Sequence, residues 1–138
     1  MRNKELAEDY LKRAKIRLIA IDTLYNEKGY ADVVRECQEV VELVLKGLLR
    51  FSDIAIPRIH DVSTVIEENR SSFSSISDED INLISTISRS LRRDRELSFY
   101  GSEDLTPSEF YRKSDADLAR SQAVKVVGLV EMAMGVIS

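Results

Sequence analysis

The sequence predicts an all-α fold, a bundle of four long helices and one short helix. Three observations carry that expectation. Apolar residues recur at steps of three and four along most of the chain, the spacing that lines one face of a helix. Five glycines and two prolines in 138 residues are less than half the usual share of about 12%, too few for a turn-rich β fold. Hydrophobic residues at 43% and charged residues at 32% suit a folded domain rather than a disordered segment. At roughly 100–200 residues per domain, the length points to one domain over residues 1–138, with no internal repeat or linker.

The first helix is expected from about Asn3 to Asn26, with Leu6, Tyr10, Ala14, Leu18, Ile21 and Tyr25 on one face. Gly29 then breaks the period and is a natural C-terminal cap. The second, Tyr30 to Phe51, carries Val33, Cys37, Val40, Val44 and Leu48 beside Val34, Val41, Leu45 and Leu49. So wide a stripe marks a helix packed on more than one side, the central one. Ser52 to His60, with Pro57, reads as a loop. Asp61 caps a short helix through Val62, Val65 and Ile66 to about Glu68. Arg70 to Ser77 is Ser-rich and reads as a surface connection. Ser77 and the acids Asp78, Glu79 and Asp80 open a long helix through Ile81, Ile84, Ile87 and Leu91. A loop with Gly101 and Pro107 follows. Ser114 and Asp115 open the last helix, through Ala119, Ala123, Val126, Val130 and Ala133 to Ile137. The stripe of the second helix, together with the last helix, exceeds what one small bundle must cover, so a two-fold homodimer is expected.

Composition excludes much chemistry. With 24 acidic and 20 basic residues the formal net charge is −4, which argues against gripping nucleic acid by bulk charge and leaves a local basic patch. One cysteine allows no internal disulfide, and one histidine excludes most zinc sites and every His-pair mechanism. No metal or cofactor is expected. No apolar run resembles a signal peptide or reaches the ~20 residues of a membrane span, so a cytoplasmic protein with no membrane contact is expected.

Cys37 could be a nucleophile but has no sequence partner to activate it, and its apolar face suits a small core residue. His60 could serve as a general acid or base, or pack where the short helix begins. Paired acids such as Glu67-Glu68 read as solvated helix ends. The segment Arg89-Ser90-Leu91-Arg92-Arg93-Asp94-Arg95-Glu96-Leu97-Ser98-Phe99-Tyr100 is denser, with four arginines in seven residues and two terminal aromatics. At ~100° per residue Arg89 and Arg93 fall opposite Ile84 and Leu91, whereas Arg95 extends the inner line of Ile84, Ser88 and Leu91. An arginine there must find a partner, face a cleft or lie at an interface. Arginine forks beside aromatic faces suit phosphate and base recognition. A solvated helix end complementing the helix dipole is the other reading.

The sequence resembles the HEPN domain family, named for higher eukaryotes and prokaryotes nucleotide binding, over nearly its whole length. The resemblance rests on Gly29-Tyr30-Ala31, on Gln38, Glu42, Leu45, Lys46, Leu48 and Leu49 in a Gln-x-x-x-Glu-x-x-Leu-Lys-x-Leu-Leu pattern, on Pro57 with His60-Asp61, and on Arg95 to Tyr100-Gly101. It implies an antiparallel up-and-down bundle, usually a homodimer, with a cleft lined by the Arg-rich segment. Many members resemble metal-independent ribonucleases, often toxins paired with a neighbouring nucleotidyltransferase; others are non-catalytic binding modules. Catalytic members carry Arg-x(4–6)-His, and in an Arg-x4-His-x-Tyr variant the tyrosine can accept AMP. Here no histidine follows His60; counted from Arg93 its place is Ser98, with Tyr100 two residues on, and counted from Arg95 it is Tyr100. Serine, or a tyrosine with pKa ≈ 10, replaces imidazole poorly near neutral pH. With no activity to silence, Tyr100 is expected to rest its ring on the bundle end. The reading is therefore a nucleotide- or RNA-phosphate-binding module without catalysis, with Arg89, Arg93, Arg95, Tyr100 and His60 as candidate binding residues and a nucleotidyltransferase as candidate partner. The alternatives are a toxin-type ribonuclease using Arg93, Arg95 and Tyr100 with atypical chemistry, and a purely structural subunit.

Overall fold

The computed structural model describes residues 2–56, 58 and 61–135, apart from the Glu96 side chain. It is all-helical, with no strand among these residues: α1 (Arg2–Asn26), α2 (Tyr30–Phe51), α3 (Val62–Glu68), α4 (Asp78–Tyr100), α5 (Pro107–Phe110) and α6 (Lys113–Ala133). The helical class is as expected, but the number of short elements is not. A 3₁₀ turn over Arg70–Ser72 and the four-residue α5 stand where only loops were expected. Residues 136–138, including Ile137, lie outside the described residues, and α6 ends at Ala133, followed by Gly135 at φ 72°.

α2 is the centre of the molecule and touches each of the other five helices. Its apolar residues from Val33 to Leu49, apart from the half-buried Leu43, are buried within this single chain. The surplus stripe expected to seek a second copy is therefore already covered. α1 and α2 run antiparallel and meet at Gly47, where a Cβ would sit 3.3 Å from Tyr10 Cβ and 3.5 Å from the Ala7 carbonyl. That close approach explains a shift in the α1 face. Ala7, Leu11, Ala14 and Ile21 are buried, while Leu6 and Tyr10, which periodicity placed on the face, are half-buried at its edge.

α6 lies antiparallel along α1, joined by Lys15–Glu131 (2.6 Å), Asp22–Arg120 (2.5 Å) and Tyr25–Asp117 (2.5 Å). Contacts so open to solvent fix alignment more than stability. At the α1–α2 corner the left-handed residue is Lys28, at φ 63°, not Gly29. Gly29 instead has φ −80°, precedes α2 and donates its N–H to the Leu24 carbonyl at 2.8 Å. The Ser-rich connection after α3 is pinned rather than free, since Phe73 and Ile76 are buried in the core.

The local signals that start α3 and α4 act as expected. Asp61 Oδ1 accepts from the Ser63 N–H (2.9 Å), and Ser77 Oγ accepts from the Asp80 N–H (3.1 Å). α6 starts one residue earlier than expected, with the Arg112 N–H donating to Asp115 Oδ2 at 2.8 Å. α5 has its own capping box: Thr106 Oγ1 accepts from the Glu109 N–H, and the Glu109 carboxylate accepts from the Thr106 N–H.

Two glycines test this packing. Gly47→Val should destabilise the fold by about 1–3 kcal/mol, because the added branch overpacks the α1–α2 contact. Gly128→Ala, on α6 with nothing within 4 Å of a new Cβ, should stabilise it by about 0.5–1 kcal/mol through helix propensity. Urea denaturation midpoints moving in opposite directions are the expected result.

Candidate functional site

The Arg-rich segment lies wholly within the last three turns of α4. Two features hold this end. Gly101, at φ 81°, stops the helix, and a Cβ there would meet the Leu105 carbonyl and Pro107 Cδ at 2.8 Å. Tyr111, after α5, is buried and donates its hydroxyl to Asp94 Oδ1 at 3.1 Å. Burial, and then the Asp94 carboxylate, push the Tyr111 phenol up, so it stays a neutral donor. α5, absent from the sequence-based expectation, is thus part of what positions the site.

One groove is lined by Asp61, Thr86, Arg89, Arg92 and Arg93, with a volume of about 540 Å³. Arg89 pairs with Glu67 of α3 at 2.8 Å and Arg92 with Glu42 of α2 at 3.4 Å. The hydrogen bond from Arg89, then that from Ser85, holds the Glu67 carboxyl below the usual carboxylate range. Arg93 is exposed and has no ion-pair partner among the described side chains. Arg89 and Arg93 therefore lie on the outer face, as the helical spacing requires.

A second groove, of about 320 Å³, is lined by Arg35, Arg95, Phe99 and Tyr100. Arg95 resolves its inner-line position by turning outward between α2 and α4, where Nη2 meets Glu39 Oε1 at 3.4 Å. The same oxygen takes Arg35 Nη1 at 3.1 Å, and the Arg35 guanidinium lies 4.4 Å from the Phe99 ring centroid. Tyr100 is 74% exposed and meets Phe99 edge-on at 4.7 Å. About 16 Å of helix separates Arg89 from Tyr100 at ~1.5 Å per residue, so both grooves share one ridge.

The remaining candidates fall elsewhere. His60 lies outside the described residues. Ser98, at the histidine place counted from Arg93, is 1% exposed and donates its Oγ–H to the Arg95 carbonyl at 3.0 Å. Among the described residues no group of three or more His, Cys, Asp or Glu side chains could hold a metal ion, and no helix is long and apolar enough to cross a membrane. Arg35, Glu39 and Glu42 were not among the candidate binding residues read from the sequence. The available signal was the polar spacing Arg35-x3-Glu39-x2-Glu42-x3-Lys46 along one side of α2.

The arrangement defines a small helical domain with an arginine-rich ridge that ends in two exposed aromatic rings. A scan against family models identifies it further: the HEPN domain matches residues 7–133, and the chain belongs to that family. HEPN domains are nucleotide- and RNA-binding modules, often with ribonuclease activity. Comparison with curated proteins and with solved structures gave no match.

Cys37 is fully buried in α2, and burial pushes its thiol up to about 12. Native protein should therefore resist a thiol reagent at pH 8 and react within minutes once unfolded in guanidinium. Rapid labelling of the native chain would contradict the placement of α2.

Proposed function

We propose that this HEPN protein binds RNA or nucleotide phosphates along the outer ridge of α4 and does not cleave them. The observation that carries this reading is the convergence of Arg89, Arg92 and Arg93 on one groove, with Arg95 and Tyr100 lining a second on the same helix. Arginine forks suit phosphate oxygens, and exposed rings suit bases. Against cleavage stands Ser98, whose hydroxyl is buried and spent on its own helix where the Arg-x(4–6)-His pattern needs an imidazole. Pairing with a nucleotidyltransferase, and one domain over the whole chain in the cytoplasm, belong to the same proposal through the family.

A two-fold homodimer is also part of it, with its support on α1 and α6 rather than α2. Ile16 and Ile19 of α1 are 55% and 70% exposed, and Val124 and Met132 of α6 are 57% and 69% exposed.

In anisotropy titrations with a fluorescent 5′-hydroxyl RNA oligomer, Arg92→Ala/Arg93→Ala should weaken binding at least fivefold. The slope of log affinity against log salt should fall by about 0.7 per lost contact, with helical content unchanged. Unaltered binding would reduce the ridge to a solvated helix end, and shortened RNA in the same samples would overturn the absence of cleavage. Light scattering at micromolar concentration should give twice 15.7 kDa; the monomer mass would exclude the dimer.

A further inference from the structure

We infer that Arg35, Arg95, Phe99 and Tyr100 form a subsite for a nucleotide carrying a terminal phosphate, a phosphomonoester rather than a phosphodiester, and that Glu39 is the internal anion this ligand displaces. The inference rests on reading the α4 ridge as a nucleotide-binding surface. Two guanidiniums from different helices meet on one carboxylate oxygen, Arg35 at 3.1 Å and Arg95 at 3.4 Å. Neither is sealed in: the Arg35, Glu39 and Arg95 side chains are 22%, 30% and 48% exposed. The groove of about 320 Å³ falls at the lower end of small-ligand sites, which run from about 300 Å³.

Charge selects the ligand. With Glu39 in place, two positive groups hold one negative group. A phosphodiester carries one charge, so it replaces the carboxylate one for one and gains little. A terminal phosphate has its second pKa near 6 and carries close to two charges at pH 7–8. It matches both guanidiniums and offers three oxygens to two forks. Displacing Glu39 costs every ligand the same, so the cost acts as a floor that the dianion clears most easily. The rings supply the rest. Phe99 holds the Arg35 guanidinium over its face, and the exposed Tyr100 ring beside it presents a surface on which any base can stack.

Calorimetric titration at pH 7.8 and low salt with AMP, 3′,5′-cyclic AMP, adenosine and phenyl phosphate tests this. AMP should bind at least tenfold tighter than cyclic AMP or phenyl phosphate, and adenosine weaker still. Glu39→Gln should tighten AMP and cyclic AMP by a similar factor of about five. Glu36→Gln, which removes the same charge from the carboxylate facing Arg17, should change AMP binding less than twofold. Arg35→Gln should weaken AMP at least fivefold. Equal affinity for AMP and cyclic AMP, or Glu39→Gln behaving like Glu36→Gln, would overturn the inference. Phenyl phosphate binding as tightly as AMP would overturn the assignment to a nucleotide. If 5′-hydroxyl RNA binds and AMP does not, the subsite fails and the ridge stands; if neither binds, both fail.

Discussion

The burial of α2 on nearly every side is the constraint from which the rest of the molecule follows. Only Asp32 among its residues is exposed, and five helices lean on it. A helix so enclosed has few positions where charge survives, because a buried charge without a partner is costly. Glu36 and Arg50 are half-buried toward α1, whereas Arg35, Glu39, Glu42 and Lys46 are half-buried along another strip, from which Glu39 and Glu42 meet α4. The register that packs Val33 to Leu49 into the core thereby decides which α4 arginines meet which carboxylates. Glu42 faces Arg92 and Glu39 faces Arg95, one turn apart on each helix. The paired arginines of the ridge owe their places to core packing and to the carboxylates that meet them.

This arrangement reconciles a chain of net charge −4 with a surface suited to phosphate. Arginines left alone would repel one another along three helical turns. Glu67, Glu42 and Glu39 each hold one at its place. The pairs are too exposed to add much stability, and salt weakens them. Their larger effect is positional, since a guanidinium already oriented loses less side-chain freedom when a ligand arrives. The same carboxylates compete with that ligand. On the proposed reading, binding exchanges one anion for another locally, whatever the overall sign of the protein.

Much of the scaffold was legible in the sequence because its signals are local. The span of α2 follows from a stripe bounded by Gly29 and Ser52, and the starts of α3 and α4 from Asp61 and Ser77 with their caps. What stayed hidden depends on contacts between distant residues. Periodicity draws the α1 face through the large residues Leu6 and Tyr10, but Gly47 lets α2 approach so closely that Ala7 and Leu11 are buried instead. Phe73 and Ile76 sit in a polar stretch whose composition conceals two core anchors. α5 is too short for any period, although Thr106-Pro107-Ser108-Glu109 carries a capping signal. Helical spacing aligns Arg95 with Ile84 and Leu91, yet its side chain turns outward and is exposed. Its partner Glu39 lies 56 residues away in sequence, a pairing that only the packing of α2 on α4 creates.

The position of Ser98 bears on chemistry more deeply than its identity does. A general acid or base must come within about 2.6–3.2 Å of the proton it moves. Ser98 is on the inner side of α4, 1% exposed and hydrogen-bonded within its own helix, whereas both grooves open on the outer side. An imidazole at that position would enter a packed interior before it reached a phosphate. Tyr100 does line the second groove, and its exposed ring meets Phe99 edge-on there. The outer face of α4 carries arginine forks and aromatic surface, and the one carboxylate lining its first groove, Asp61, comes from the start of α3 rather than from the position two residues before Tyr100.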